Sequence, residues 1–348
     1  MRISSLAVAT PETLFDNEGM LGVVARRAQA AGMSAAEQDD LRNRIGRMFD
    51  RAGSRQRFIN AELRRGSAID MVKRAGTEAI AAAGKRPEDI DLIIYCSVSR
   101  GWLEPSTAAA VQAALGATNA SCFDVVEACA GWMRAVEVAV SLMAGGRYAN
   151  ALVVGVEDGL QDIIMPVVKG TRIADENLAG FTVGSAATAT LLEPDDTQPV
   201  EIEIRSKGTL HDICMLPLAS AAAFLPDDGR ELPVADMFLS HSEPLFSNAI
   251  QLMVEAARPR LATLDMETVA LFIPHAASTK AAEVLRKLLR VPEEKWLCPH
   301  GEFGNTVAMA MPVALDFAIR TGRVKRGDRI FFVVAGAGIS YGYGLVTY

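Results

Sequence analysis

The run PEDIDLIIYCSVS at 87–99 has a counterpart in DMETVALFIPHAAS at 265–278, and AGGRYANALVVGVE at 144–157 has one in RTGRVKRGDRIFFVVAGAG at 320–338. Each pair delivers a buried apolar strand out of a helix or turn, and the pairs come in the same order. Such a rhyme predicts an α/β protein built from two diverged copies of one unit, too dissimilar for a solenoid. The run Glu193-Pro194-Asp195-Asp196 reads as the junction, giving halves of 1–195 and 196–348. A chain of 348 residues holds two ordinary domains or one large double one.

Periodicity fills in the elements. Residues 1–66 read as a strand at Ile3 to Ala9 and a charged helical stretch at about 18–49. The spacing then predicts helices at 67–83 and 106–115, with strands at 92–98, 123–126, 151–156 and 186–192. In the second half it predicts strands at 200–206, 269–273, 329–335 and 340–346, and helices at 245–263, 278–289 and 306–321. A long irregular segment follows the strand at 200–206.

Phe123 to Val126 leads with no long loop into Ala128-Cys129-Ala130-Gly131, after which Ala130, Met133, Val136, Ala139, Val140 and Met143 recur at helical spacing up to Gly145-Gly146. Cys129 therefore sits at or just before a buried helix N-terminus. Unpaired N–H groups and the helix dipole favour an anion there, which populates the nucleophilic thiolate and could cradle an oxyanion. A cysteine among alanines is also an ordinary small core residue. His275 follows a strand, where sites gather in α/β sheets, and Asn305 heads a helix. Singly they read as a structural histidine and a helix cap. The rhyme places Cys129 and Asn305 at equivalent points of the two halves.

Charge and cysteine usage narrow the class. A net charge of −7 and a pI near 5.3 disfavour nucleic acid as the main partner. No apolar run approaches the roughly 18 to 20 residues of a membrane span. The start, MRISSLAVATPE, lacks the pattern of an export signal. Five cysteines with no CxxC pair argue against a disulfide framework or a zinc site, and point to a reducing, cytoplasmic setting. Arg42, Arg44, Arg47, Arg51, Arg55 and Arg57 form a basic run suited either to phosphate or to a solvated face paired with acids.

RAGSRQRF at 51–58, EPSTAAAVQAALG at 104–116, FDVVEACAGW at 123–132, IPHAAS at 273–278, FGNT at 303–306 and AGAGISYGYG at 335–344 together resemble the ketosynthase III (3-oxoacyl-carrier-protein synthase III) family of the thiolase superfamily. The resemblance implies a five-layered αβαβα fold, a homodimer and a Cys129–His275–Asn305 triad. In that scheme Cys129 takes an acyl group from a coenzyme A or carrier-protein thioester. Its own N–H and those of the Gly336-Ala337-Gly338 turn hold the oxyanion. His275 and Asn305 donate hydrogen bonds to the second thioester during a Claisen condensation, a task suited to an asparagine because it cannot ionise. No metal or redox cofactor is implied.

Three departures from the family pattern suggest a specialised enzyme. PHAAS carries Ser278 where the family commonly has asparagine, TVGSAA at 182–187 lacks an aspartate, and Arg47 aligns with a tryptophan that stacks on coenzyme A. Arg47, Arg51 and Arg55 are candidates for coenzyme A. Lys280 and Lys287, seven residues apart on one helix face with Arg286 and Arg290 alongside, are candidates for an acidic carrier protein, or for a routine surface helix. Glu104 stands where the resemblance brings a loop across the dimer interface into the partner's acyl pocket. A similar glutamate marks enzymes that join two long acyl chains, where it serves as a base. Glu104 could equally cap the helix after it or pair with Arg100, and Glu127 is a rival carboxylate. Two other readings remain: an acyltransferase of the same fold passing the acyl group to oxygen or nitrogen, and a non-catalytic partner subunit.

Overall fold

The computed structural model describes residues 1–60, 64–159, 175–195, 200–225, 235, 237–275 and 277–348. Two sheets dominate. The first runs in the order Arg2–Ala9, Ala186–Glu193, Ala151–Glu157, Leu92–Tyr95, Ser121–Asp124; the second runs Leu271–Pro274, Arg329–Gly336, Gly338–Thr347, Glu201–Leu210. The pairing senses match step for step. Arg2–Ala9 lies antiparallel to Ala186–Glu193, as Glu201–Leu210 does to Gly338–Thr347. Leu92–Tyr95 lies parallel to Ala151–Glu157, as Leu271–Pro274 does to Arg329–Gly336. The fifth strand of the second sheet is reduced to a parallel bridge between Phe272 and Trp296.

Alternation along these strands sorts side chains into separate cores. Leu92, Ile94, Val153, Ile273 and Phe332 face a central layer, where the helices Gly131–Ala144 and Ala310–Arg320 lie between the sheets. Ile93, Leu152 and Val154 face outward onto the helices Ser67–Ala82 and Thr107–Leu115. Phe272, Phe331 and Val333 face the helices Ser242–Leu261 and Thr279–Leu289. The result is helix, sheet, helix, sheet, helix: the five-layered thiolase arrangement. The central helices pack tightly, since a Cβ on Gly131 would strike the Cys96 carbonyl and come 3.4 Å from Ala308 Cβ. Trp132 fills the space beside them, its Nε1 donating to Thr190 Oγ1 at 3.0 Å and its ring edge-on to Phe332.

Several sequence expectations shift. The helical stretch at 18–49 is two helices, Asn17–Ala30 and Ala35–Ala52, because Gly32 turns at φ 78° and Ser34 with Glu37 forms a capping box. The helix expected at 306–321 begins as a 3₁₀ turn, Val307–Met309, before Ala310–Arg320. Asp196 of the expected junction lies outside the described residues, as do parts of the loop after Glu157 and of the irregular segment after Leu210. Among the described residues no helix is long and apolar enough to cross a membrane.

Candidate active site

A cavity of about 1000 Å³ opens where the two halves meet, and Cys129, His275 and Asn305 all line it. Cys129 is the middle residue of a 3₁₀ turn, Ala128–Ala130, which Ala128 enters at φ 44°. A non-glycine residue in that left-handed region is strained, and the turn lifts the thiol out of the strand line. The N–H groups of Cys129 itself and of Ala337 face the sulfur closely enough to favour its charged form. Position 336 must be glycine for this approach, because a Cβ there would lie 2.9 Å from Ala130 N and 3.1 Å from Cys129 N. Burial pushes the thiol up, and these two N–H groups pull it back down. The helix-terminus argument for a ready thiolate is thus outweighed by desolvation before a thioester arrives. Gly336 and Ala337 line the cavity, whereas Gly338 does not.

His275 follows Pro274 and donates its backbone N–H to Val333 O at 2.7 Å. Its ring is buried, 8% exposed, and Nδ1 has no hydrogen-bond partner among the described residues. Burial pushes its pKa down to about 4, so the imidazole is neutral at neutral pH and can donate one N–H. Asn305 is tied to the other half through its backbone: its N–H donates to Thr182 O at 2.9 Å and its carbonyl accepts from Gly184 N–H at 3.0 Å. Val307 N–H donates to Asn305 Oδ1 at 2.9 Å, which occupies the oxygen; among the described residues the amide NH₂ makes no hydrogen bond. TVGSAA therefore acts as a seat for Asn305, and its glycine is required because a Cβ on Gly184 would strike the Phe303 carbonyl. Ser278 caps the helix Thr279–Leu289, accepting from Ala281 N–H at 3.2 Å.

The basic candidates separate. Arg44, Arg47 and Arg51 share one face of the Ala35–Ala52 helix at the cavity mouth, opposite Lys280 in the first turn of Thr279–Leu289. Gly53, at φ 71°, lies against Thr279 and brings the two helices together there. Arg55 is not part of this group: it points away and pairs with Glu302. Arg57 leaves the basic run altogether. It is fully buried over the Phe49 ring, donates to Asn17 Oδ1 at 2.7 Å, and is pushed down to about 10 by burial. Lys287 lies outside the cavity and pairs with Glu283 at 3.5 Å; Arg286 is held by Glu283 and the Val291 carbonyl.

The carboxylates separate as well. Glu104 is exposed on the loop before Thr107 and does not line the cavity of a single chain. Glu127 accepts from Ser340 Oγ and lies 3.6 Å from Arg134, so it is engaged elsewhere. Among the cavity residues that the sequence did not single out as functional are Glu157 and Cys214. Glu157 ends an apolar strand, which was the only sequence signal available, and Cys214 carries no signal beyond being a cysteine. Among the described residues no group of three or more His, Cys, Asp or Glu side chains is arranged to hold a metal ion.

Comparisons with known proteins supply the family. The family model described as 3-oxoacyl-[acyl-carrier-protein (ACP)] synthase III matches residues 123–208, and that for the C terminal of the same synthase matches residues 260–348. Beta-ketoacyl-[acyl-carrier-protein] synthase III of Aquifex aeolicus is 31% identical over 280 residues, 80% of this chain and 83% of that protein. The Symbiobacterium thermophilum protein of the same name is 32% identical over 324 residues, 89% of this chain and 94% of its own. The crystal structure of the Aquifex aeolicus synthase superposes with a TM-score of 0.77 at 27% identity, covering 100% of this chain and 99% of that one. OleA of Xanthomonas campestris, solved with bound lauric acid and lauroyl-CoA, shares the fold at a TM-score of 0.79 and 22% identity, over 100% of this chain and 98% of its own.

Proposed function

Because the chain belongs to the 3-oxoacyl-[acyl-carrier-protein] synthase III family, a family of enzymes that condense acyl thioesters, we propose that Cys129 is its nucleophile and that His275 and Asn305 serve the condensation. The observation that carries this is the convergence of all three on one cavity, with Ala337 N–H at the sulfur and the Asn305 NH₂ left as a donor. Cys129 attacks the thioester carbonyl, the N–H groups of Cys129 and Ala337 hold the oxyanion, and the thiol leaving group departs with a proton. A neutral His275 and the Asn305 amide then donate to the carbonyl oxygen of the second thioester, stabilising the enolate formed when its α-carbon gives up a proton to a base or loses CO2; attack of that carbon on the acyl-enzyme carbonyl forms the C–C bond and expels Cys129 as the thiolate, which is reprotonated. A thioester brings its own activation, so this sequence of steps draws on no resident cofactor. Retention of the Asn305 donor favours C–C bond formation over acyl transfer to oxygen or nitrogen, which passes through no enolate.

Arg47, Arg51 and Lys280 at the mouth suit the phosphates of coenzyme A or of a carrier's phosphopantetheine. In this reading the chain works as a homodimer. The strand Ser121–Asp124 is a free sheet edge in one chain, and Asp124 fixes the nearby loop by accepting from Thr107 and Ala108 N–H, each at 2.8 Å. Leu103 on that loop is 72% exposed and Val126 57%, the kind of apolar surface a second copy would cover. Glu104 would then enter the partner's cavity as a base for joining two acyl chains. Five free thiols suit a cytoplasmic setting.

The deciding experiment is intact-protein mass spectrometry after incubation with a panel of acyl-coenzyme A and acyl-carrier thioesters. Wild type gains one acyl mass and Cys129→Ser gains none, while replacing Cys96, Cys122, Cys214 or Cys298 leaves the adduct in place. Acylation that survives in Cys129→Ser overturns the mechanism. Glu104→Gln retains the adduct and loses condensation of two non-malonyl chains; an unchanged rate removes Glu104 from the reaction.

A further inference from the structure

We infer that Glu157, which lies outside the Cys129–His275–Asn305 set, is a positioning residue that clamps the turn after Asn305 and sets the reactivity of Cys129. It ends the strand Ala151–Glu157, is 3% exposed and lines the cavity. Its carboxylate gathers donors from both halves of the molecule. Val98 N–H reaches Oε1 at 3.1 Å, and Ser99 N–H and Oγ reach Oε2 at 3.2 and 3.0 Å. Ala308 N–H approaches from the other side, where it favours the charged carboxylate, and Glu157 and Val307 line the same cavity.

That last contact falls on a strained turn. Val307 adopts φ 49°, a left-handed conformation that is costly for a β-branched residue and persists only where its surroundings over-determine it. Two hydrogen bonds hold it, Val307 N–H to Asn305 Oδ1 at 2.9 Å and Met309 N–H to Thr306 O at 2.8 Å, and between them Ala308 N–H faces the Glu157 carboxylate. The first of these bonds also aims the Asn305 amide. Glu157 is the one side chain from the first half in this series, so loosening it loosens the aim of Asn305.

The same carboxylate acts on the nucleophile through its charge. An anion near a thiol disfavours the thiolate, and Glu157 is among the causes that keep Cys129 protonated. The other ionisable groups facing it are Tyr95 and Cys96 at the end of the neighbouring strand, with Asp158 next along the chain. Burial pushes the Tyr95 phenol and the Cys96 thiol up, leaving both uncharged at neutral pH. Asp158 is occupied by Asn60 Nδ2, Ser67 Oγ and Ser185 Oγ at 2.8, 3.2 and 3.0 Å. Burial also raises Glu157 itself to about 7, so its charge changes near neutrality.

Removing the charge therefore splits the two half-reactions, a consequence that rests on the condensing role proposed above. In Glu157→Gln, alkylation of Cys129 by iodoacetamide, followed by intact mass, is expected to reach its midpoint at lower pH than in wild type. Its rate near pH 7 rises severalfold, up to about tenfold for one pKa unit. Single-turnover condensation from the pre-acylated enzyme is expected to fall at least tenfold, about the loss of one well-placed donor. An alkylation profile that does not move, or condensation that keeps pace with acylation, overturns the proposal. Ser99→Ala provides a second test should the glutamine variant fold poorly. It removes one donor to Glu157, so the acid limb of the condensation profile moves to higher pH, and an unmoved limb overturns the proposal. If wild type condenses no thioester, the functional reading fails while the alkylation profile still judges the effect of Glu157 on Cys129.

Discussion

In the first half a 3₁₀ turn at Ala128–Ala130 begins at φ 44° and leads into the helix Gly131–Ala144; in the second, Val307–Met309 begins at 49° and leads into Ala310–Arg320. Superposing these turns sets Cys129 against Ala308, and Asn305 three residues earlier, against Val126. The strands before them match too. Cys96 N–H donates to Val154 O at 3.0 Å where His275 N–H donates to Val333 O at 2.7 Å, which makes Cys96 and His275 counterparts. One backbone device is thus present twice, and the side chains proposed to react occupy different seats of it. In the proposed mechanism the first half uses the inside of its turn for the nucleophile, and the second uses the approach to its turn and the strand end for donors. The second half also supplies Ala337 N–H to the first half's sulfur, so neither copy is complete alone.

If the halves divide the work this way, the largest effects come from the second half and spare acylation. Asn305→Ala and His275→Ala are expected to lose condensation by about a hundredfold or more, the effect of a strong oxyanion donor, while retaining substantial self-acylation. Equal loss of both steps would break the division and indicate misfolding. Normal product formation in Asn305→Ala would move the assignment to acyl transfer.

A smaller effect tests the paired turns themselves. Ala128→Gly and Val307→Gly each replace a residue strained at positive φ with one that adopts it freely, and each also frees the turn to leave that conformation. Ala128→Gly is expected to slow acylation and Val307→Gly condensation, each about fivefold, equivalent to about 1 kcal/mol of barrier. Burst and single-turnover rates measured on both variants would sharpen the comparison. It breaks if either variant slows both steps alike.

The alternating strands, the duplicated order and the three residues that meet in the cavity were legible because each rests on a local signal: period-two burial, a small-residue turn, a polar residue closing a strand. The equivalence of Cys129 and Asn305 was misjudged by three residues because the φ values at Ala128 and Val307 that fix the register leave no trace in residue type. Arg55 and Arg57 read alike in sequence, yet one pairs with Glu302 at the surface and the other is buried over Phe49. Only long-range contacts, with Asn17 and with the Gly184 and Gly304 backbones, distinguish them. Glu157 showed no more than a strand end for the same reason, since its hydrogen-bond donors come from the distant residues 98 and 99.

The smallest effect expected is a cancellation. His275 has a pKa of about 4 folded against 6.5 unfolded, so its contribution to stability is present above pH 6.5 and is lost as pH falls toward 4. Glu157 runs the other way. At about 7 folded against 4.5 unfolded, its contribution is fully present below pH 4.5 and is lost as pH rises through 7. Between pH 7 and pH 5 each contribution changes by about 2 kcal/mol with opposite sign. The two contributions, one from each half, therefore oppose one another over this range. His275→Gln should therefore gain stability on acidification relative to wild type and Glu157→Gln should lose it, as read from urea midpoints at the two pH values. If both variants follow the wild-type pH dependence, the two halves do not balance one another at this site.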